Sequence, residues 1–93
     1  MGRTVYELQQ QRQLLGRQVA DNLEFLMGSI STKGPKRPGH NLTQKVNGVT
    51  RTRHIRVQDL DKVRVMIARH KTLKQLIRKI ADLNWEILIR QSE

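Results

Sequence analysis

Cysteine is missing from this 93-residue chain, and aromatics are almost missing: Tyr6, Phe25 and Trp85 are the full set. Without cysteine there is no disulfide and no thiolate metal site, a composition that fits a reducing cytoplasm. None of the aromatics falls in the middle of the chain, which argues against the stacking platforms that hold single-stranded nucleic acid. Proline occurs twice, at Pro35 and Pro38, so no helix elsewhere is interrupted by it. No apolar run has the length of a membrane span or of a signal-peptide core. The expectation is a bacterial cytoplasmic protein with no membrane association.

Negative charge is missing locally. No acidic residue lies between Glu24 and Asp59, while the net charge of the chain is +10. In residues 1–28, Arg3, Arg12 and Arg17 are balanced by Glu7, Asp21 and Glu24. The middle segment carries Lys33, Lys36, Arg37, Lys45, Arg51, Arg53 and Arg56 with no acid. The rest of the chain has a smaller basic excess. A concentrated excess of this kind is the electrostatic footprint of a surface that meets phosphates.

Apolar spacing predicts a helix over 4–27, through Val5, Leu8, Leu15, Val19, Leu23 and Leu26. Thr4 and Glu7 form a capping box, and Gly28 stands as the stop. Residues 28–39 read as a basic loop, in which 29–32 has the composition of a short strand and 33–39 that of a Pro/Gly turn. Residues 40–57 read as a β-hairpin about Asn47-Gly48, pairing Val46 with Val49, Gln44 with Arg51 and Leu42 with Arg53. Alternation puts Leu42, Val46, Val49, Ile55 and Val57 on a core face that Arg51 and Arg53 interrupt. Asn41, Thr43, Lys45, Thr50, Thr52, His54 and Arg56 take the other face. On this assignment Arg56 faces a ligand, and Arg51 and Arg53 snorkel from the core margin.

Residues 58–91 read as one long helix or two in tandem. One seam holds Val63, His70, Ile77 and Asn84, and the other holds Met66, Leu73, Ile80 and Ile87, widened by Leu76 and Leu83. The expected fold is α+β, mostly α: a single domain over 1–93, an antiparallel helical hairpin with an inserted basic β-hairpin. The second helix offers more apolar surface than the first covers. A homodimer or a partner-bound helix pair is therefore expected, with His70 and Asn84 setting register.

No pattern for catalysis emerges. His40, His54 and His70 lack ligand-spaced companions, so no metal and no cofactor are expected. Ser29, Ser31 and Ser92 have no nucleophile pattern, and the Gly/Pro loop lacks the Gly-Lys-Ser/Thr ending of a P-loop. The candidate nucleic-acid-binding residues are Lys33, Lys36 and Arg37 in the loop, Lys45, Thr50, Arg51, Thr52, Arg53, His54 and Arg56 on the hairpin, and Lys71, Lys74 and Arg78 on one helix face. Arginine and threonine on a ribbon can donate to phosphates, and arginine can also read guanine edges.

Gly28-Ser29-Ile30 after a helix, Gly39-His40, the run Lys45-Val46-Asn47-Gly48-Val49-Thr50-Arg51-Thr52-Arg53, and a long helix with Leu60, Val63, Leu73, Ile77 and Leu83-Asn84 form a recognisable order. Over about residues 26–88 it resembles a family of small basic bacterial proteins of unknown function, encoded near transposases and other mobile-element genes. Members of that family carry cysteines before the Gly-His pair, and this chain has none. The resemblance implies a DNA-associated role on a mobile element or phage and no activity. The functional expectation is a non-enzymatic accessory protein of a nucleoprotein assembly, with DNA favoured over RNA. The alternatives are a helical adaptor or inhibitor that docks on such a complex, and an RNA-binding protein.

Overall fold

The computed structural model describes residues 2–32 and 39–92. Helix α1 spans Val5–Asp21, strands β1, β2 and β3 span Ser29–Thr32, His40–Val46 and Val49–Ile55, and a 3-10 turn at Val57–Asp59 leads into helix α2, Leu60–Ser92. The strands form one antiparallel sheet in the order β1-β2-β3. The fold is mostly helical with an inserted antiparallel sheet, as the sequence pattern predicts. The chain divides into two compact units, residues 1–23 with 71–93 and residues 24–70, and α2 contributes to both.

In the first unit α1 runs antiparallel to the C-terminal part of α2. Thr4 caps α1, its hydroxyl accepting from the Glu7 N–H at 3.1 Å, which is half of the expected capping box. Gly2 lies beside Arg90, the Arg12 guanidinium donates to Asn84 Oδ1 at 2.8 Å, and Leu8 packs with Leu83 and Ile87. Leu8 is completely buried, with Val5 and Leu15 against the same cluster.

The buried stripe of α2 is Leu73, Leu76, Leu83 and Ile87, with Ile80 half-buried. The expected seam is thus rotated. Leu76 and Leu83 are inner positions, while Ile77 and Asn84 are exposed. Phase is set by which neighbour covers the helix, and two adjacent leucine/isoleucine pairs leave it open in the sequence.

Helix α1 ends at Asp21, short of the expected residue 27. Asn22 closes it, its backbone N–H reaching Val19 O at 3.0 Å and its side-chain amide donating to Gln18 O at 2.7 Å. Beyond this point the backbone is used differently. Within the second unit, Leu26 N–H donates to Met66 O at 3.1 Å, Arg69 Nη1 donates to Glu24 O at 3.1 Å, and Gln44 Nε2 donates to Met27 O at 2.6 Å. These tertiary partners replace the helical bonds that Leu23 and Leu26 appeared to continue by periodicity.

Gly28 therefore does not cap a helix. It opens β1 at φ +131°, where an added Cβ would stand 2.6 Å from Thr43 O. Residues 29–32, placed within the basic loop by composition, form β1 and pair with β2 through Ile30 opposite Leu42.

The expected hairpin register holds at Val46–Val49, Gln44–Arg51 and Leu42–Arg53. Asn47 at φ 51° and Gly48 at φ 80° make the two-residue turn with both centres left-handed that such a hairpin requires. Leu42 and Ile55 are buried on the face they share with Ile30. Val46, Val49 and Val57 are exposed, contrary to their core assignment. Strand parity fixes which side these residues share, but the covering ends before it reaches the turn, and Val57 lies past the strand in the 3-10 turn.

Candidate nucleic-acid interface

The sheet presents two chemically different faces. One carries Ser29, Ser31, Asn41, Thr43, Lys45, Thr50, Thr52 and His54, all able to hydrogen-bond. Ser31 Oγ and Thr43 Oγ1 lie 2.9 Å apart across β1 and β2, so this surface is partly organised by its own hydroxyls. Sequence reasoning missed the contribution of Ser29 and Ser31, because a four-residue strand next to a Pro/Gly loop gives little periodic signal. The other face carries Leu42 and Ile55 at its buried end, and Arg51, Val46 and Val49 towards the turn.

Strand β3 is an edge strand, and every residue from Val49 to His54 is exposed, whichever face it belongs to. Arg51 and Arg53 are thus open to solvent rather than snorkelling from the margin of a core. A two-residue turn closes on a hydrogen-bonded pair, here Val46–Val49, and bonded pairs alternate from there. The backbone N–H groups of Thr50, Thr52 and His54 consequently point to the open edge. The edge offers amide donors and hydroxyls, with the arginine side chains rising beside them.

Ion pairing separates the cations. Arg56 lies outside β3, and its Nε donates to Asp59 Oδ2 at 2.7 Å. It belongs to the turn into α2 and not to the outer ribbon face, where alternation had placed it as the leading ligand contact. Arg64 pairs with Asp61 at 3.6 Å and Arg69 with Glu24 at 3.7 Å. Among the described residues Lys45, Arg51 and Arg53 have no carboxylate partner within 4.0 Å. The cause is the acid-free stretch itself, which supplies no local counter-charge.

Lys71, Lys74 and Arg78 do share one side of α2, around a shallow groove that also includes Ile77 and Ala81. They belong to the first compact unit and the ribbon to the second. Lys33, Lys36 and Arg37 lie outside the described residues. Among the described residues no group of three or more His, Asp or Glu side chains is placed to hold a metal ion. Within the same residues, no helix is long and apolar enough to cross a membrane. Comparison with known proteins gives no match to a family model, a curated protein or a solved structure.

Proposed function

We propose that this chain binds nucleic acid, duplex DNA in preference to RNA, through the β2–β3 ribbon. The observation that carries the reading is the state of β3: an exposed edge strand whose arginines have no carboxylate partner among the described residues. Cations left uncompensated on an exposed ribbon are free to displace condensed counterions from a phosphate backbone, and that release supplies sequence-independent affinity. Thr50, Thr52 and Lys45 would contact phosphate or base edges from the polar face. Arg51 and Arg53 would reach around the open edge to the same backbone, and the edge amides add neutral donors.

Duplex DNA is favoured because a two-stranded ribbon fits its major groove, roughly 12 Å wide, whereas the deep, narrow major groove of A-form RNA excludes it. The aromatic complement offers no stacking platform on the ribbon for single strands. The role is positional and non-enzymatic. A cytoplasmic, bacterial mobile-element or phage setting rests on the sequence resemblance alone.

The test is a binding titration of the full chain with duplex DNA, duplex RNA and single-stranded DNA of equal length over a salt series. The expected order is duplex DNA tightest, with affinity falling steeply as salt rises. Equal affinity for all three, or binding indifferent to salt, overturns the reading.

A further inference from the structure

The open edge of β3 offers acceptors as well as donors. Val49, Arg51, Arg53 and Ile55 take the hydrogen-bonded positions against β2, so the N–H and the C=O of Thr50, Thr52 and His54 both point away from the sheet. Spaced by two residues, these donor–acceptor pairs recur roughly 7 Å apart along the edge. Among the described residues, no backbone or side-chain hydrogen bond outside the sheet reaches them. A phosphate oxygen can accept from the three N–H groups, but it has nothing to donate to the three carbonyls. An extended polypeptide backbone supplies both groups at the same repeat.

Charge selects which polypeptide. Arg51 and Arg53 are exposed and have no carboxylate partner among the described residues. In an antiparallel added strand, the residues opposite them fall at non-hydrogen-bonded pairs, where side chains come closest. Opposite charges there stabilise the pairing and like charges destabilise it. This disfavours a second copy of β3, because an antiparallel pairing centred on Arg51, Thr52 or Arg53 sets arginine against arginine. We propose that the β3 edge binds an extended acidic peptide of another protein as a fourth strand of the sheet.

The edge also sets the peptide's pattern. Arg53, Arg51 and the exposed Val49 follow one another on one face. Read antiparallel, from its own N-terminus, the peptide carries an acid opposite Arg53, an acid opposite Arg51 and an apolar residue opposite Val49. Small or β-branched residues between them lie over Thr50, Thr52 and His54. Main-chain bonds hold the strand, and the two arginines choose its charge. The inference stands apart from the DNA-binding reading, although both surfaces use Arg51 and Arg53.

The test uses the full chain without nucleic acid, so its failure is distinct from failure of that reading. The probe is a capped, fluorescein-labelled peptide, Thr-Glu-Thr-Glu-Thr-Val-Thr, followed by anisotropy. In the proposed pairing its threonine nitrogens face β3 and its glutamate nitrogens face away. N-methylation of the threonines should weaken binding at least about tenfold, whereas N-methylation of the glutamates should change it by less than about twofold; both probes keep the same charge. Adding the unmodified probe should slow amide exchange at Thr50, Thr52 and His54. Thr52→Pro removes an outward donor at a position where an edge strand tolerates proline, so it should abolish binding with circular dichroism retained. Arg51→Glu with Arg53→Glu should transfer the preference to a probe with lysine in place of glutamate. No binding of the unmodified probe at about 1 mM, or equal binding of the two methylated probes, overturns the inference. So does protection of the same three amides that grows with the concentration of the chain alone, which would place a second copy on the edge.

Discussion

The imidazole ring of His70 lies stacked on the ring of Phe25, 5.6 Å between centroids and 17° between planes. The contact ties the segment after α1 to the middle of α2. It is reinforced nearby by the Leu26 N–H to Met66 O bond and by Arg69 on Glu24. Phe25 is half-buried, so Phe25→Ala should destabilise the fold by about 2 kcal/mol, below the cost of a fully buried phenylalanine. A double-mutant cycle with His70→Ala, measured by urea unfolding, should give a coupling of about 0.5–1.5 kcal/mol. Additive losses would show that the two rings are neighbours without mutual stabilisation.

Gly28 is required by backbone geometry. At φ +131° an L-residue is strained, and the Cβ would stand 2.6 Å from a strand carbonyl. Gly28→Ala should destabilise by about 1–3 kcal/mol. Gly16, by contrast, has open space around its Cβ position and lies inside α1, so Gly16→Ala should stabilise by up to about 1 kcal/mol. Thermal melts of the two variants should move in opposite directions.

Leu8 anchors the helical pair. Among the described residues it is the largest side chain with no exposure at all, and it packs with Leu83 and Ile87. Leu8→Ala should lower stability by about 2–5 kcal/mol. Leu14→Ala, at an exposed position of the same helix, should change it by less than about 0.5 kcal/mol. Chemical denaturation separates them, and equal effects would contradict the assigned face of α1.

The arginines of the ribbon should rank in an order that strand alternation alone would reverse. Arg51 and Arg53 are exposed and without a carboxylate partner among the described residues, whereas Arg56 is engaged with Asp59. Alanine at Arg51 or Arg53 should each weaken DNA binding and reduce the salt slope by about 0.9. Alanine at Arg56 should do so less, and Asp59→Asn should strengthen binding by releasing its guanidinium. Titrations of the four single variants at two salt concentrations decide the order.

The parts of the fold that the sequence made legible are those set by local chemistry. Asn47-Gly48 forces a two-residue turn, and that turn fixes Val46 opposite Val49 and all pairs beyond it. Thr4 likewise marks the start of α1. What was hidden depends on which partner a residue meets. Leu23 and Leu26 continue the helical period of α1, yet the backbone of Leu26 bonds to α2 instead. Ile77 reads as core beside Leu76, yet Leu76 is buried and Ile77 exposed. At the candidate interface, parity assigned Lys45, Thr50, Thr52 and His54 to the polar face, while the exposure of Arg51 and Arg53 required knowing that nothing covers β3 near the turn.

The most direct test of the central claim is the salt dependence of duplex DNA binding by a variant lacking the cations of the ribbon that have no carboxylate partner among the described residues. With Lys45, Arg51 and Arg53 all replaced by alanine, circular dichroism should be unchanged. The slope of log affinity against log salt should fall in magnitude by about 2.7, three contacts at about 0.9 each. A slope equal to that of the unaltered chain would contradict the account and move the phosphate contacts off the ribbon.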